Sequence, residues 1–193
     1  MVTFIGESNY EHGSSDKTGI LLTNLGTPDE PTAKAVKPYL LQFLSDPRVI
    51  EFPKLLWQII LRGVILQIRP RKSAKTYSTV WTNEGSPLLV IAQKQLELVR
   101  KELHSTYPNT VVELAMRYGN PSIESALLKL QQQQIRRLLV LPLYPQYCAA
   151  TTGSTFDAVT NILQKYRWIP ELRFINQYFE EESYINALSE SIE

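Results

Sequence analysis

Short aliphatic runs alternate along the chain with segments that repeat apolar residues at helical spacing. The aliphatic runs are residues 20–25, 111–117, 137–143 and, more weakly, 172–175. The segments with helical spacing are residues 36–44, 87–106, 122–133, 152–165 and 180–193. Aliphatic runs without polar alternation are typical of strands that are buried on both faces. The repeated strand–helix order therefore predicts an α/β fold, with a doubly wound, Rossmann-like parallel sheet and right-handed crossovers.

The chain divides into a polar tail, one lobe and a final helix. Residues 1–18 contain a polar stretch rich in Ser and Gly and lack the basic and apolar regions of a secretory signal. We expect a flexible tail there, because such a stretch buries too little apolar surface to offset its ordering entropy. The lobe covers residues 19–175, and a connecting helix covers residues 176–193. The length of 193 residues suits one well-cored domain.

An unusual, nearly continuous apolar segment occupies residues 52–68, and we call it the lip segment. It is too short and too charged to span a bilayer. Two interpretations remain open: a helix half-buried in the protein, or an interfacial helix whose apolar side chains contact lipid or shield an apolar ligand. The side chains concerned are Leu55, Leu56, Ile59, Ile60 and Ile65. The basic cluster Arg69–Lys72 follows directly and suits an acidic membrane surface or ligand carboxylates, with a solvated helix cap as the alternative.

Composition excludes several classes of partner. The 20 Lys and Arg against 19 Asp and Glu give a formal net charge of +1, far from the basic excess that nucleic-acid phosphates require. The single cysteine, Cys148, cannot form an internal disulfide, and only two histidines accompany it, too few for a Cys/His zinc site. We therefore expect a cytoplasmic protein without a nucleic-acid partner.

The loops that follow the predicted strands carry the candidate chemistry, because doubly wound sheets bind ligands at the carboxyl ends of their strands. These loops contain residues 25–28, 117–121 and 144–147. They lack the glycine and Gly-Lys patterns of phosphate cradles, which disfavours a nucleotide. Their apolar and aromatic side chains, with two arginines and the hydroxyl-rich helix start 151–155, suit a flat apolar ligand that carries carboxylates.

Several motifs resemble those of ferrochelatase, the lyase of haem biosynthesis that inserts ferrous iron into protoporphyrin. In chain order they are Gly19-Ile-Leu-Leu-Thr-Asn-Leu-Gly-Thr-Pro28, Lys75-Thr-Tyr77, Trp81-Thr-Asn-Glu-Gly-Ser-Pro-Leu88, Met116-Arg-Tyr118, Leu141-Pro-Leu-Tyr-Pro-Gln-Tyr147 and Thr151-Thr-Gly-Ser-Thr155. The resemblance implies a chelatase-type fold of two doubly wound lobes with the porphyrin between them. The chain then corresponds to the first lobe and the helix that leads to the second.

The resemblance also implies positions for six substrate-binding residues. Leu25 and Tyr144 line the porphyrin pocket, Arg69, Tyr77 and Ser86 lie near the propionates or the pocket lip, and Arg117 lies inside the cleft. The lip segment rests on the inner face of the membrane and admits the substrate. The residues themselves leave structural alternatives open. In these alternatives, Arg117 only pairs with a carbonyl or carboxylate at the sheet edge, Tyr144 only packs in its loop, and Ser86 only caps the following helix.

Iron insertion requires a base that removes two pyrrole protons. His12 lies in the polar tail and His104 in a charged helix end, so neither follows a strand. In ferrochelatases the catalytic histidine follows the next strand and a partnering glutamate comes later, in the second lobe, so the resemblance implies that both lie beyond Glu193. We therefore expect no catalytic residue and no chelatase activity in residues 1–193 alone. Fe²⁺ is then a substrate of the parent family.

The same resemblance leads us to expect no cofactor in this chain, because the cysteines that hold an iron–sulfur cluster in some family members are absent from it. A non-catalytic module that binds porphyrin or a partner lobe is the alternative function. A lobe separated from its partner exposes apolar surface, so we also expect self-association.

Overall fold

The structure is a computed structural model that describes residues 4–6, 13 and 16–192. In this part of the chain, four strands form one parallel sheet: β1 (Lys17–Thr27), β2 (Thr110–Gly119), β3 (Ile135–Pro142) and β4 (Glu171–Phe174). The α-helices are α1 (Ala33–Leu44), α2 (Lys54–Ile60), α3 (Leu66–Val80), α4 (Pro87–Thr106), α5 (Ile123–Gln132), α6 (Ser154–Leu163) and α7 (Glu182–Glu190). Two π-helical turns, Leu61–Ile65 and Ala149–Gly153, precede α3 and α6.

The strand order is β2-β1-β3-β4, which confirms the predicted α/β fold with a doubly wound parallel sheet. The chain runs from β1 outward to β2 and then crosses back over β1 to β3. The direction of winding therefore reverses between β1 and β3. At such a switch point the connecting loops diverge and leave a crevice at the carboxyl ends of the strands.

β1 and β2 extend beyond the aliphatic runs that predicted them, whereas β3 and β4 begin and end one or two residues earlier than predicted. β1 continues past Leu25 because its backbone stays paired with β2, with Gly26 opposite Tyr118 and Thr27 opposite Gly119. The hydrophobic pattern of the side chains does not predict this pairing, because backbone groups make it. α4 matches its predicted bounds, whereas α6 begins two residues later than predicted because a π-helical turn occupies residues 149–153.

Both faces of the sheet are buried, as its aliphatic strands require. Leu21 and its neighbours on one face pack against α5 and α6, and Leu22 on the other face packs against α4. A third apolar cluster lies at the carboxyl ends of β1 and β2. There α1 and the helical stretch around α3 enclose Tyr118, with Tyr39 and Leu61 among the buried side chains. This third cluster forms the floor of the candidate site.

The lip segment is helical throughout most of its length, with one side buried in the protein and the other exposed, and contact of the exposed side with lipid or a ligand stays a prediction. Leu61 and Leu66 are buried in the third cluster, whereas Leu55 and Ile59 are 84% and 70% exposed. The basic cluster Arg69–Lys72 lies inside α3, so the alternative of a helix cap is wrong. No helix in the described part of the chain is long and apolar enough to cross a membrane.

The predicted flexible tail falls largely on residues 1–3, 7–12 and 14–15, which lie outside the described residues. Within the tail, Ile5 pairs with the segment that follows α6. The Ile5 N–H donates to the Lys165 carbonyl oxygen (2.8 Å), and the Arg167 N–H donates to the Ile5 carbonyl oxygen (2.9 Å). The last two positions assigned to the tail, residues 17 and 18, belong to β1.

Candidate functional site

The candidate site lies where β1, β2 and β3 end side by side at the switch point. Gly26 of β1 faces Tyr118 of β2. On the other side of β1, the Leu143 N–H donates to the Thr23 carbonyl oxygen (2.7 Å), which brings the loop after β3 to the same edge. The sheet therefore gathers the three predicted ligand loops in one place.

Gly26 allows the ends of β1 and β2 to approach closely. Its φ of +108° is rarely adopted by other residues, and a Cβ atom at this position would lie 1.8 Å from the Tyr118 carbonyl oxygen. The Gly26 carbonyl oxygen also accepts a hydrogen bond from the Tyr39 hydroxyl (3.3 Å). The glycine of the Leu-Gly-Thr-Pro motif is thus a steric requirement, and it sets the position of Leu25 beside it.

A buried carboxylate, Asp46, joins three parts of the site. Its Oδ2 atom accepts hydrogen bonds from Arg117 Nη2 (2.5 Å) and from the hydroxyls of Tyr118 (2.8 Å) and Ser154 (2.5 Å). Its Oδ1 atom accepts from the backbone N–H of Arg48 (2.8 Å). The loop after α1, the end of β2 and the start of α6 are therefore held by one side chain, and we call Asp46, Arg117, Tyr118 and Ser154 the polar network.

The network keeps Asp46 ionised. Burial alone would raise the pKa of Asp46, but hydrogen bonds from Ser154 and Tyr118 and the charge of Arg117 lower it below its ordinary value. Burial also raises the pKa of Tyr118 to about 12, so its hydroxyl stays protonated and donates. The network is consequently a set of matched donors and acceptors near neutral pH.

Aromatic side chains form the wall beside this network. The ring of Tyr39 lies edge-on to that of Tyr77, with ring centroids 6.2 Å apart, and Phe43 is edge-on to Tyr118 at 5.2 Å. Burial raises the pKa of Tyr144, with a further increase from Tyr118. The Tyr144 hydroxyl is buried and has no hydrogen-bond partner among the described residues. Tyr39 and Tyr118 are buried in this wall, whereas Phe43, Tyr77 and Tyr144 are partly exposed.

Four of the six predicted site residues come together at this edge. Leu25 and Tyr77 pack in the same apolar cluster as Tyr118, and Arg117 lies over the Tyr118 ring. Tyr144 follows Leu143, whose N–H donates a hydrogen bond to β1. Two others are not joined to this group by any contact in the described residues. Arg69 is exposed on α3, and Ser86 is buried at the start of α4.

The structure also decides between some of the structural alternatives. Arg117 pairs with a carboxylate and a carbonyl, because its Nε also donates to the Ser154 carbonyl oxygen (3.0 Å). Ser86 is the N-cap residue of α4, but its side chain makes no capping hydrogen bond. The expectation that the helix start 151–155 binds an external anion is wrong for Ser154, because this hydroxyl is buried and donates to Asp46.

The sequence did not reveal Asp46 and Tyr39 as members of the site, and it indicated Ser154 only as part of the helix start 151–155. Asp46 stands in a Ser-Asp-Pro sequence that is typical of a turn, and Tyr39 has the spacing of an ordinary helix core residue. A carboxylate directly after an apolar helix is the only signal in the sequence, and it does not reveal the distant partners.

Neither histidine is placed at this edge by the structure. His104 is exposed in the last turn of α4, and α4 ends where β2 begins, at the amino edge of the sheet. His12 lies outside the described residues. Within the described ranges, no group of three or more His, Cys, Asp or Glu side chains could hold a metal ion.

Comparisons with known proteins confirm the resemblance inferred from the motifs. A family profile described as ferrochelatase matches residues 17–193. The chain is 56% identical over 190 residues to a ferrochelatase of Thioalkalivibrio sulfidiphilus, which covers 98% of this chain and 52% of that protein. It is 54% identical over 189 residues to a ferrochelatase of Idiomarina loihiensis, with 97% and 52% covered. The chain spans about half the length of these curated relatives.

Proposed function

The chain belongs to the ferrochelatase family, and from this premise we propose that it supplies a porphyrin-binding face of an enzyme that inserts Fe²⁺ into protoporphyrin IX to form protohaem. The observation that carries the proposal is that Leu25, Arg117 and Tyr144 lie at the carboxyl ends of three neighbouring strands, β1, β2 and β3. A flat macrocycle requires an extended apolar surface, and its propionates require cationic or hydrogen-bonding groups at the margin.

The proposed roles follow from the position of each side chain. Leu25 and Tyr144 belong to the wall against which the porphyrin ring packs. Arg117 contributes a fixed positive charge within the cleft. For Tyr77, Ser86 and Arg69 we propose positions near the propionates, as the family resemblance implies; Arg69 is exposed on α3, whereas Ser86 is buried at the start of α4. Tyr144 as a whole is partly exposed, which supports packing of its ring against the macrocycle.

Iron insertion also needs a base for the two pyrrole protons, and Fe²⁺ enters as a substrate. We propose that residues 1–193 bind porphyrin but do not metallate it, because no histidine of the described residues lies at the carboxyl edge. The acid–base groups would then belong to a further lobe that closes the cleft. We propose no resident cofactor for this chain.

The lip segment supports peripheral contact with a membrane at its cytoplasmic face. Its exposed apolar side chains include Leu55 and Ile59, and residues 52–80 contain six Lys and Arg but no Asp or Glu. An apolar helix face flanked only by cations suits the surface of an anionic bilayer. A poorly soluble porphyrin could then pass from the lipid directly to the cleft.

A non-catalytic module that binds porphyrin or a partner lobe is the alternative, and one pair of assays separates the two functions. Fluorescence titration with protoporphyrin measures binding to the chain, and the growth of metalloporphyrin absorbance after adding Fe²⁺ measures insertion. We expect weak but saturable binding that Tyr144→Ala weakens, without insertion above background.

Insertion that appears when the second half of a ferrochelatase is added would assign the chain to the enzyme. Binding without restored insertion would favour the module. The absence of porphyrin binding would contradict the enzyme function and leave only a module that binds a partner lobe. Light scattering of the same sample tests self-association, for which we expect particles larger than a monomer.

A further inference from the structure

We infer that Asp46 is a positioning residue that fixes the orientation of Arg117 in the cleft; this inference rests on the proposed function. The side chain of Asp46 is only 4% exposed, so it cannot itself contact a ligand of ordinary size. Any effect of Asp46 on porphyrin binding must therefore pass through the residues that donate to it.

Arg117 is held from several directions. Nη2 donates to Asp46, and Nε donates to the Ser154 hydroxyl (2.6 Å) as well as to its carbonyl oxygen. The guanidinium lies over the ring of Tyr118, 4.5 Å from its centroid. Within the described part of the chain, Nη1 has no hydrogen-bond partner. With 20% of the side chain exposed, the guanidinium retains one N–H edge for a ligand.

Asp46 is the shared acceptor of this arrangement. Without the carboxylate, Arg117 and the hydroxyls of Tyr118 and Ser154 would compete for fewer acceptors, and the guanidinium would gain rotational freedom. Charge-assisted hydrogen bonds of this kind are stronger and more directional than neutral ones. When the guanidinium is already ordered, ligand binding does not carry the entropy cost of ordering that side chain.

The chain contains a matched control for loop tethering. Arg48 lies in the same loop as Asp46, and its side chain donates to Asp157 of α6 through Nε (2.7 Å) and Nη2 (3.0 Å). This pair also joins the loop to α6, but its side chains are 41% and 37% exposed, and neither contacts Arg117 in the described structure. Arg48→Gln therefore removes a tether and leaves the Arg117 contacts in place.

The first arm of the experiment observes Arg117 without any porphyrin. In nuclear magnetic resonance spectra, we expect the Nε–H signal of Arg117 to be sharp and slow to exchange with water in the wild type and in Arg48→Gln. We expect it to broaden or exchange rapidly in Asp46→Asn. An unchanged signal in folded Asp46→Asn would overturn the inference.

The second arm measures protoporphyrin affinity as a double-mutant cycle. We expect Asp46→Asn to weaken binding about tenfold, Arg48→Gln to change it less than about twofold, and Asp46→Asn to add little in the Arg117→Met background. If Asp46→Asn weakened porphyrin binding equally in the wild type and in the Arg117→Met variant, Asp46 would act through the fold and not through Arg117.

If circular dichroism shows that Asp46→Asn is unfolded, Ser154→Ala replaces it in both arms. This variant removes one hydrogen bond to each of Asp46 and Arg117 and keeps both charges. We expect a smaller effect with the same dependence on Arg117, and independence from Arg117 would contradict the inference. If the wild type does not bind porphyrin, the proposed function fails, while the first arm still decides whether Asp46 holds Arg117.

Discussion

The polar network and the lip segment differ in what they bury: the network buries charged side chains, whereas the lip segment leaves apolar side chains exposed. The network places an ion pair inside the protein, and the Asp46 carboxylate receives four hydrogen bonds there. The lip segment instead leaves large apolar side chains, such as Leu55, in contact with solvent. In the first region the buried carboxylate is fully paired within the chain. In the second, apolar surface is left exposed, and exposed apolar patches are typical of interaction sites.

This difference predicts how each region tolerates substitution. A buried network whose acceptors are all used loses several kcal/mol when one member is removed. An exposed apolar face loses almost no folding free energy, and only its external binding changes. Stability should therefore be sensitive at the carboxyl edge, and membrane affinity should be sensitive at the lip.

The largest expected effect is that of Gly26→Ala at the carboxyl edge. The new methyl group would overlap the Tyr118 carbonyl oxygen, and the positive φ would be strained. We expect a loss of more than about 3 kcal/mol of unfolding free energy, measured by urea denaturation. The control is Gly63→Ala in the lip, where no atom lies within 4 Å of the added Cβ. It should be neutral or stabilising by up to about 1 kcal/mol, and a Gly26→Ala protein of native stability would refute the steric account.

Removal of the central acceptor should have the next largest effect. We expect Asp46→Ala to lower the unfolding free energy by about 3 kcal/mol, because it leaves the partly buried charge of Arg117 without its partner. Asp157→Ala breaks the exposed pair with Arg48 and should cost less than about 1 kcal/mol. If chemical denaturation showed the same loss of unfolding free energy in Asp46→Ala and Asp157→Ala, the buried network would be no more important for stability than the exposed Arg48–Asp157 pair.

At the lip, the double substitution Leu55→Glu with Ile59→Glu should abolish membrane contact. We expect affinity for phosphatidylglycerol vesicles to fall roughly thirtyfold, about 2 kcal/mol, because two apolar side chains are lost from the lipid. The unfolding free energy should change by less than about 0.5 kcal/mol. Leu98→Glu is the control, because Leu98 is exposed on α4 instead. Vesicle binding that survives the double substitution, in a sedimentation assay, would exclude the lip as the membrane surface.

The smallest expected effect is a dependence of the unfolding free energy on pH. Because the pKa of Asp46 is lower in the folded protein than its ordinary value of 3.8, the carboxylate stabilises the fold above that value. This contribution is lost as pH falls through the folded pKa. The groups that face the carboxylate are Arg117, Tyr118, Ser154 and the Arg48 backbone. We expect the stability difference between wild type and Asp46→Asn to narrow below about pH 4, and a difference that widens on acidification would contradict the assignment.

The sheet was predictable from sequence because its strands are buried on both faces. Such strands are continuous aliphatic runs, and the helices between them keep an apolar stripe, so element order alone fixes the fold class. The common edge of Leu25, Arg117 and Tyr144 was predictable for a related reason, since parallel strands place their carboxyl ends at one edge of the sheet.

The polar network was not predictable, because its members are far apart in sequence. Asp46 lies 71 residues before Arg117 and 108 residues before Ser154, and the local sequence of each suits a turn, a strand end or a helix start. The lip segment was ambiguous because its apolar residues surround the helix. Only packing against α1 determines which side is buried.

The central claim is that porphyrin binds at the carboxyl edge of the sheet, and hydrogen–deuterium exchange with and without protoporphyrin tests it most directly. We expect protoporphyrin to slow the exchange of backbone amides in residues 24–28, 116–119 and 143–148, with little change at the amino edge around His104. Protection confined to the lip, or spread evenly over the sheet, would contradict a porphyrin site at the switch point.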